Sequence, residues 1–261
     1  MASVIINTVD SDIAIYAFYF NYRIAAEIFI KIGVKDREIA SEMGQECCEA
    51  LPALHAFTGN DYTSAFHGIG KGKAFKIVNS SDEFKLAFSS FGDSFKFESS
   101  LFPQIELFVC KLYGLRCDNT DEARYQKFVA SKKSPEPQKL PPTRDALLCH
   151  CKRVSYVTAV IKRSLRPSEE VPPLDGYGWT LTNEQLSPVW MLRPPAPDEI
   201  LQLISCNCKK NKCTTRNCIC VSHGLNCTDL CSCSECRNIN DHETSSESSS
   251  CDESSSDSDS D

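Results

Sequence analysis

Cys206 to Cys236 reads C-N-C-K-K-N-K-C-T-T-R-N-C-I-C-V-S-H-G-L-N-C-T-D-L-C-S-C-S-E-C, nine cysteines spaced C-x-C-x4-C-x4-C-x-C-x6-C-x3-C-x-C-x2-C. The large apolar residues of this stretch are chiefly Ile219, Val221, Leu225 and Leu230, too few to bury a core that offsets the entropy of ordering the chain. Disulfides are a poor substitute, because an odd number of cysteines leaves one thiol over and no secretory signal precedes the chain. Zinc is the better staple, since it takes four thiolates in a tetrahedron. Nine sulfurs allow two ions with one thiol to spare, or three ions. Three ions need about twelve bonds, which six terminal and three bridging thiolates supply, and three is the expected number. The expected ligands are Cys206, Cys208, Cys213, Cys218, Cys220, Cys227, Cys231, Cys233 and Cys236.

This spacing, with the Lys-Lys-Asn-Lys run before the third cysteine and Gly224 before Leu-Asn-Cys, resembles one half of a tesmin-type CXC domain over residues 206–237. The resemblance implies three zincs and DNA binding through residues near the first half of the repeat. The chain has one repeat where that family usually has two. It also has Arg216-Asn217 ahead of Cys218, where DNA-binding members often place a tyrosine. Lys209, Lys210, Lys212, Arg216 and Arg237 against Asp229 and Glu235 almost cancel the charge of a three-zinc, nine-thiolate cluster. Binding to duplex DNA would therefore rest on one basic face, Lys209, Lys210, Lys212 and Arg216. A zinc-stapled adaptor for chromatin proteins is the other reading.

The chain has 261 residues, 41% of them hydrophobic, enough for one main domain and a mini-domain. The sequence has no apolar run long enough to cross a membrane, and the expectation is a soluble, nuclear protein. Cys47, Cys48, Cys110, Cys117, Cys149 and Cys151 read as ordinary small hydrophobes. The net charge of −7 comes from the C-terminus: residues 241–261 carry eight acids and no Lys or Arg, leaving +1 for the rest.

At the N-terminus, Ser3 to Thr8 reads as a short buried strand, and Ile13 to Phe20 is apolar almost throughout. Asp10 and Asp12 are either a helix cap, with Asp12 the capping residue, or metal-binding carboxylates. Ile39, Met43, Cys47, Leu51 and Leu54 mark a helix ending near Phe57-Thr58-Gly59. Gly68, Gly70 and Gly72 then permit a tight turn into a new helix. Its first amides, with Lys71 and Lys73 beside them, can grip a backbone phosphate.

Gly59-Asn60-Asp61-Tyr62 followed by Gly68-Ile69-Gly70 and Ala74 resembles the signature of the flap-endonuclease branch of PIN-like nucleases, and Asp10-Ser11-Asp12 matches that family's Asp-x-Asp pair. The resemblance covers about residues 3 to 80. It implies that Asp10, Asp12 and Asp61 are ligands of Mg or Mn, and that Gly68, Gly70, Lys71 and Lys73 hold duplex DNA. The family's other metal-binding acids lie in a long segment before the Asp-x-Asp pair. Two-metal hydrolysis needs a denser ring of carboxylates than three aspartates provide. The expectation is a nuclease-like segment that is catalytically incomplete and, as the combination with a cysteine-rich tail suggests, of transposable-element origin. A structure-specific nuclease completed by acids from a partner chain is the alternative.

Apolar stripes on Phe84, Phe88 and Phe91, then on Ile105, Phe108, Val109 and Leu112, predict further helices, and Asn119 with Glu122 forms a capping box. Ser134 to Pro142 reads as a polyproline-like spacer. Thr143 caps a long helix to about Leu165, whose basic face is either solvated or tracks DNA. Cys149-His150-Cys151 is set aside as a metal motif, because C-x-C in a helix points its cysteines to different sides. Residues 166–197 read as an extended linker with docked aromatics, and residues 198–204 as a short helix. The Ser/acidic tail has nothing to bury, and Ser249, Ser254, Ser256 and Ser258 each have an acid three residues on. The expected fold is mainly α: a truncated α/β nuclease-like segment with a helical extension, an irregular zinc module and a disordered acidic tail. The expected divisions are 1–133, 134–165, 166–197, 198–237 and 238–261.

Overall fold

The computed structural model describes residues 2–32, 35–37, 43–131, 136–167, 170–193, 204–209, 212–228 and 231–239. The chain divides into two compact units, Met1–Pro195 and Ala196–Asp261. Among the described residues the architecture is mainly α, and no helix is long and apolar enough to cross a membrane.

The first unit opens with a β-α-β turn of chain. Strand β1 (Ala2–Thr8) leads into helix α1 (Ser11–Phe20) and returns as β2 (Ala26–Ile32), parallel to β1 with Ala2 opposite Ala26 and Thr8 opposite Ile32. A short β3 (Lys35–Arg37) pairs antiparallel with β2, giving the order β1-β2-β3. The cap of α1 is Asp10, not Asp12: the Asp10 carboxylate accepts from the Asp12 amide at 2.9 Å. Nor is β1 buried as its composition suggests, because it lies at the sheet edge with Val4 and Ile5 exposed. Behind the sheet, Ala14, Ala17, Phe18, Ile30, Cys48 and Leu51 close a small core.

Five helices build the main core, α2 (Gln45–Phe57), α3 (Lys71–Asn79), α4 (Asp82–Ser89), α5 (Phe102–Leu112) and α7 (Arg144–Arg163), and α6 (Thr120–Val129) packs beside α5. Helix α2 starts at Gln45 behind Gly44, so Met43 falls outside it, and Ile39 lies outside the described residues. The stripes on Phe84, Phe88 and Phe91 and on Ile105, Phe108, Val109 and Leu112 face inward, whereas Leu165, expected at the end of α7, lies past it and is exposed. Phe57, at the end of α2, meets the rings of Phe66, Phe88, Phe108 and His150 at centroid distances of 5.1–5.8 Å. The caps fall where the sequence puts them. Asn119 accepts from the Glu122 amide at 2.8 Å, and Thr143 from the Ala146 amide at 3.2 Å.

Three expectations need correction. Within the stretch read as a polyproline spacer, Pro137–Lys139 form a 3-10 turn, closed by Glu136 and Leu140. The basic residues of α7 are neither simply solvated nor laid out as a tracking face, because several are stitches. Buried Arg153 donates to the carbonyls of Gly178 (3.1 Å) and Val189 (2.6 Å), Lys162 pairs with Asp93 (2.7 Å), and Arg163 donates to Gly92 (2.6 Å) and Asp93 (2.7 Å) carbonyls. The proline-rich segment after α7 is a hairpin, β4 (Trp179–Thr182) with β5 (Gln185–Pro188), and not an extended linker. Asn183 and Glu184 both take positive φ, the requirement of a two-residue turn whose twist matches its strands. Trp179 packs against Tyr156 of α7, as expected of a docked aromatic, while Trp190 stays 59% exposed beside the Arg153 guanidinium.

Candidate metal centre

The second unit has little regular structure. Among its described residues one short helix, α8 (Ile219–Ser222), follows Cys218, and Gly224, at φ +70, turns the chain so that the Leu225 amide reaches the Cys220 carbonyl at 2.9 Å. Lys212 and Cys213 also take positive φ, folding the basic loop back on itself. Isolated backbone bonds clasp the ends: Ser232 to Cys206, Ser234 to Cys208, Arg237 to Lys212 and Cys227 to Asn238. The helix expected over 198–204 lies outside the described residues, Ile204 excepted, as does the expected tail 238–261 from residue 240 onward; Asn238, by contrast, is hydrogen-bonded into the cysteine unit.

This unit's buried centre is sulfur. Among the described residues Cys206, Cys213, Cys218, Cys220 and Cys227 are buried, with Ile204, Ile219 and Val221 as apolar company. All nine cysteines are free thiols. The sulfurs of Cys206 and Cys213 are 3.6 Å apart, those of Cys206 and Cys227 3.7 Å, and those of Cys220 and Cys231 3.6 Å. A zinc–sulfur bond of about 2.3 Å in a tetrahedron places two sulfurs about 3.8 Å apart. A disulfide would need about 2.05 Å. Three sets of four have all their sulfurs within 4.8 Å of one another: Cys206, Cys218, Cys220 and Cys227; Cys206, Cys213, Cys227 and Cys233; Cys206, Cys208, Cys213 and Cys218.

The electrostatics of this cluster call for a cation. Burial and neighbouring thiols push Cys208 up to about 11 and Cys220 up to about 12, and lift Cys213 and Cys227 further. Two sites run the other way. Burial alone would raise Cys218, but the amides of Val221 and Cys220 and the thiols of Cys206 and Cys213 bring it down to about 7. Cys231 is likewise brought down to about 7, by the amides of Cys206 and Thr228. Crowded sulfurs cannot all ionise without a compensating charge, and zinc supplies two positive charges per ion. The donor set therefore fits zinc in kind, number and spacing.

Amide donors hold these sulfurs in place. The Cys206 amide donates to Cys231 at 3.4 Å and the Asn238 amide to Cys236 at 3.3 Å. The Asn238 side chain donates to Cys227 at 3.4 Å and to the Leu225 carbonyl at 2.8 Å. Asn238 is thus an outer-shell residue that sequence reading passed over; its one signal is its place two residues past the last cysteine.

Lys209, Lys212 and Arg216 are exposed on the loop between Cys208 and Cys218, and Lys210 lies outside the described residues. The Lys212 ammonium is already paired with Glu235.

In the first unit, the expected residues gather at the end of β1. Asp10 and Asp12 sit at the start of α1, and Tyr16, one turn on, is raised by burial and then by Asp12, Tyr62, Asp10 and Asp61, which places those groups around it. Asp61 stands in a turn built by Asn60, whose side-chain Oδ1 accepts from the Tyr62 amide at 3.0 Å and the Thr63 amide at 3.1 Å. Gly68, at φ +71, and Gly70 lead into α3, which begins at Lys71 and includes Lys73. Among the described residues, however, the sets of acids, histidines and cysteines close enough to share an ion are all cysteine sets. Asp10, Asp12 and Asp61 do not form one. His150 lies in the buried core, where its Nε2 donates to the Phe57 carbonyl at 2.9 Å.

A family model described as Tesmin/TSO1-like CXC domain, cysteine-rich domain, matches residues 203–240. No curated protein and no solved structure matches the chain. The cysteine cluster and this match together make residues 203–240 a zinc-binding domain of the CXC type. The resemblance of residues 3 to 80 to PIN-like nucleases has no counterpart among these matches.

Proposed function

We propose that the protein is a nuclear, zinc-dependent binder of duplex DNA, in which the CXC domain holds three zinc ions. One way of sharing the nine sulfurs supports that count. A sulfur can bridge two zincs, so Cys206 cannot serve all three sets of four. Cys231, 3.6 Å from Cys220 and beside Cys206, completes one shell with Cys206, Cys220 and Cys227. Cys236, beside Cys213, Cys227 and Cys233, completes another with those three. Cys206, Cys208, Cys213 and Cys218 make the third. In that sharing Cys206, Cys213 and Cys227 would bridge, and every cysteine would be used.

One observation supports DNA as the partner. Lys209, Lys212 and Arg216 lie between Cys208, Cys213 and Cys218, which belong to one set of four, so metal at that set would order the backbone that carries them before DNA binds. Lys209 and Arg216 face solvent there. The aspartate site of the first unit is read as catalytically incomplete, and an origin in a transposable element accounts for its pairing with a CXC domain.

Incubating the zinc-loaded protein with end-labelled flap and plain duplex DNA, plus magnesium or manganese, tests this. The expected result is DNA bound but uncut, with binding lost on chelating zinc and falling steeply with salt. Cutting that Asp61→Asn abolishes would make the protein a nuclease. Absence of binding would leave a protein-interaction adaptor as the better reading.

A further inference from the structure

His55 joins the aspartates at the end of β1 to the lysine at the start of α3. It sits in the last turn of α2 with 3% of its side chain exposed. Its Nε2 lies 2.7 Å from Asp12 Oδ1, and its Nδ1 lies 2.9 Å from Lys71 Nζ. An ammonium only donates, so Nδ1 is the acceptor, the ring proton resides on Nε2, and that N–H donates to Asp12. A cation, a neutral imidazole and an anion thus form one hydrogen-bonded chain across three helices. Burial, and then Lys71, hold the His55 pKa below its ordinary value against the upward pull of Asp12 and Asp10.

We propose that His55 is a positioning residue: it seats the Lys71 ammonium at the start of α3 for a phosphate of duplex DNA, while Asp12 fixes the imidazole tautomer. This rests on the DNA-binding reading above, and it gives Asp12 a task other than metal ligation. A free lysine loses about 2 kcal/mol of rotamer entropy when fixed; the imidazole fixes this one beforehand. His55 takes one of the three ammonium N–H groups; the Asp12 and Asp61 carboxylates also act on Lys71, so a phosphate would compete with them for the other two. The surface beside Lys71 is open. A Cβ at Gly70 or Gly72 would meet nothing within 4 Å, and neither glycine takes positive φ. Folding does not require glycine at either position, whereas close approach of a ligand to the backbone does.

The test is duplex binding by the full zinc-loaded chain, read by fluorescence anisotropy over a salt series. His55→Gln can present an acceptor to Lys71 and a donor to Asp12 without titrating; His55→Leu removes both. Lys71→Met and His55→Leu are expected to weaken binding by the same factor, about tenfold, and to lower the salt slope by about 0.9. The double variant should be no weaker than either, and His55→Gln should bind like the wild type. Full affinity in His55→Leu, or independent losses that multiply in the double variant, overturns the positioning role while leaving DNA binding intact. A wild type that binds no duplex overturns the proposed function and this inference with it. Should His55→Leu fail to fold, nitrogen-15 shifts of His55 in the wild type decide: an Nδ1–H tautomer or a protonated ring at neutral pH overturns the proposal, and an Nε2–H tautomer together with binding by His55→Gln sustains it.

Discussion

Two glycines a short way apart should respond oppositely to alanine. Gly59 opens the turn that carries Asp61, at φ +102, and a Cβ there would stand 2.7 Å from Ala65 Cβ, 2.8 Å from Ala65 Cα and 2.9 Å from Ala65 N. Two of those atoms are backbone, so no rotamer change relieves the contact. A left-handed backbone costs an L-residue about 1–2 kcal/mol, and overpacking adds about 1–3 kcal/mol. The reduced freedom of the unfolded chain gives back about 0.4–1 kcal/mol. Gly59→Ala should therefore lose about 1–4.5 kcal/mol, which for a unit of this size lowers Tm by about 2–18 °C. Gly72, the second residue of α3, has no close neighbour and no positive φ, so Gly72→Ala should stabilise by about 0.4–1 kcal/mol. It should nonetheless weaken duplex binding, because its methyl group occupies the surface a phosphate would approach. Thermal melts beside anisotropy titrations check both variants. A Gly59→Ala protein melting within a degree of wild type refutes the steric argument, and a Gly72→Ala protein with unchanged affinity refutes the functional one.

Elemental analysis should find three zincs in the wild type, two in Cys236→Ser, which breaks one shell, and one in Cys206→Ser, which breaks two. Burial drives His150 down to about 4, against the pull of the Phe57 carbonyl and with a further push from Arg153. An unfolded histidine titrates near 6.5, so the unfolded chain binds more protons between those values, and about 3 kcal/mol of stability present above pH 6.5 should be lost by pH 4. Urea melts across that range should show a shallower slope for His150→Gln. Arg153→Met should cost about 2–4 kcal/mol, from two charge-assisted hydrogen bonds to carbonyls, and shift tryptophan fluorescence to the red as the hairpin loosens.

The helices and their caps were legible because burial leaves a periodic trace: Phe84, Phe88, Ile105, Phe108 and Leu112 recur at helical steps and all end inside. The zinc site was legible because sulfur spacing leaves no other way to order so short a segment. Partners left no such trace. Nothing local says that His55 would meet Asp12, 43 residues earlier, or that Lys162 would bridge to Asp93 and not face water. Composition misled where it carried no alternation. The β-branched run of β1 reads as buried, yet lies at an open sheet edge, and the prolines around Trp179 hid a hairpin whose turn residues, Asn183 and Glu184, lack the usual glycine.

The sulfur-filled centre of the second unit has a calorimetric consequence. Heat capacity change and denaturant sensitivity both scale with the apolar surface that unfolding exposes. A unit whose interior is cysteine, with Ile204, Ile219 and Val221 only partly covered, exposes very little. Urea should therefore barely register its opening, while the phenylalanine core of the first unit gives the whole visible transition. A chelator should do the reverse, since the metal-bound state is favoured by the logarithm of free zinc over its dissociation constant. The described part of the second unit thus has a stability scale of its own kind, set by the metal activity of its compartment as well as by temperature and solvent.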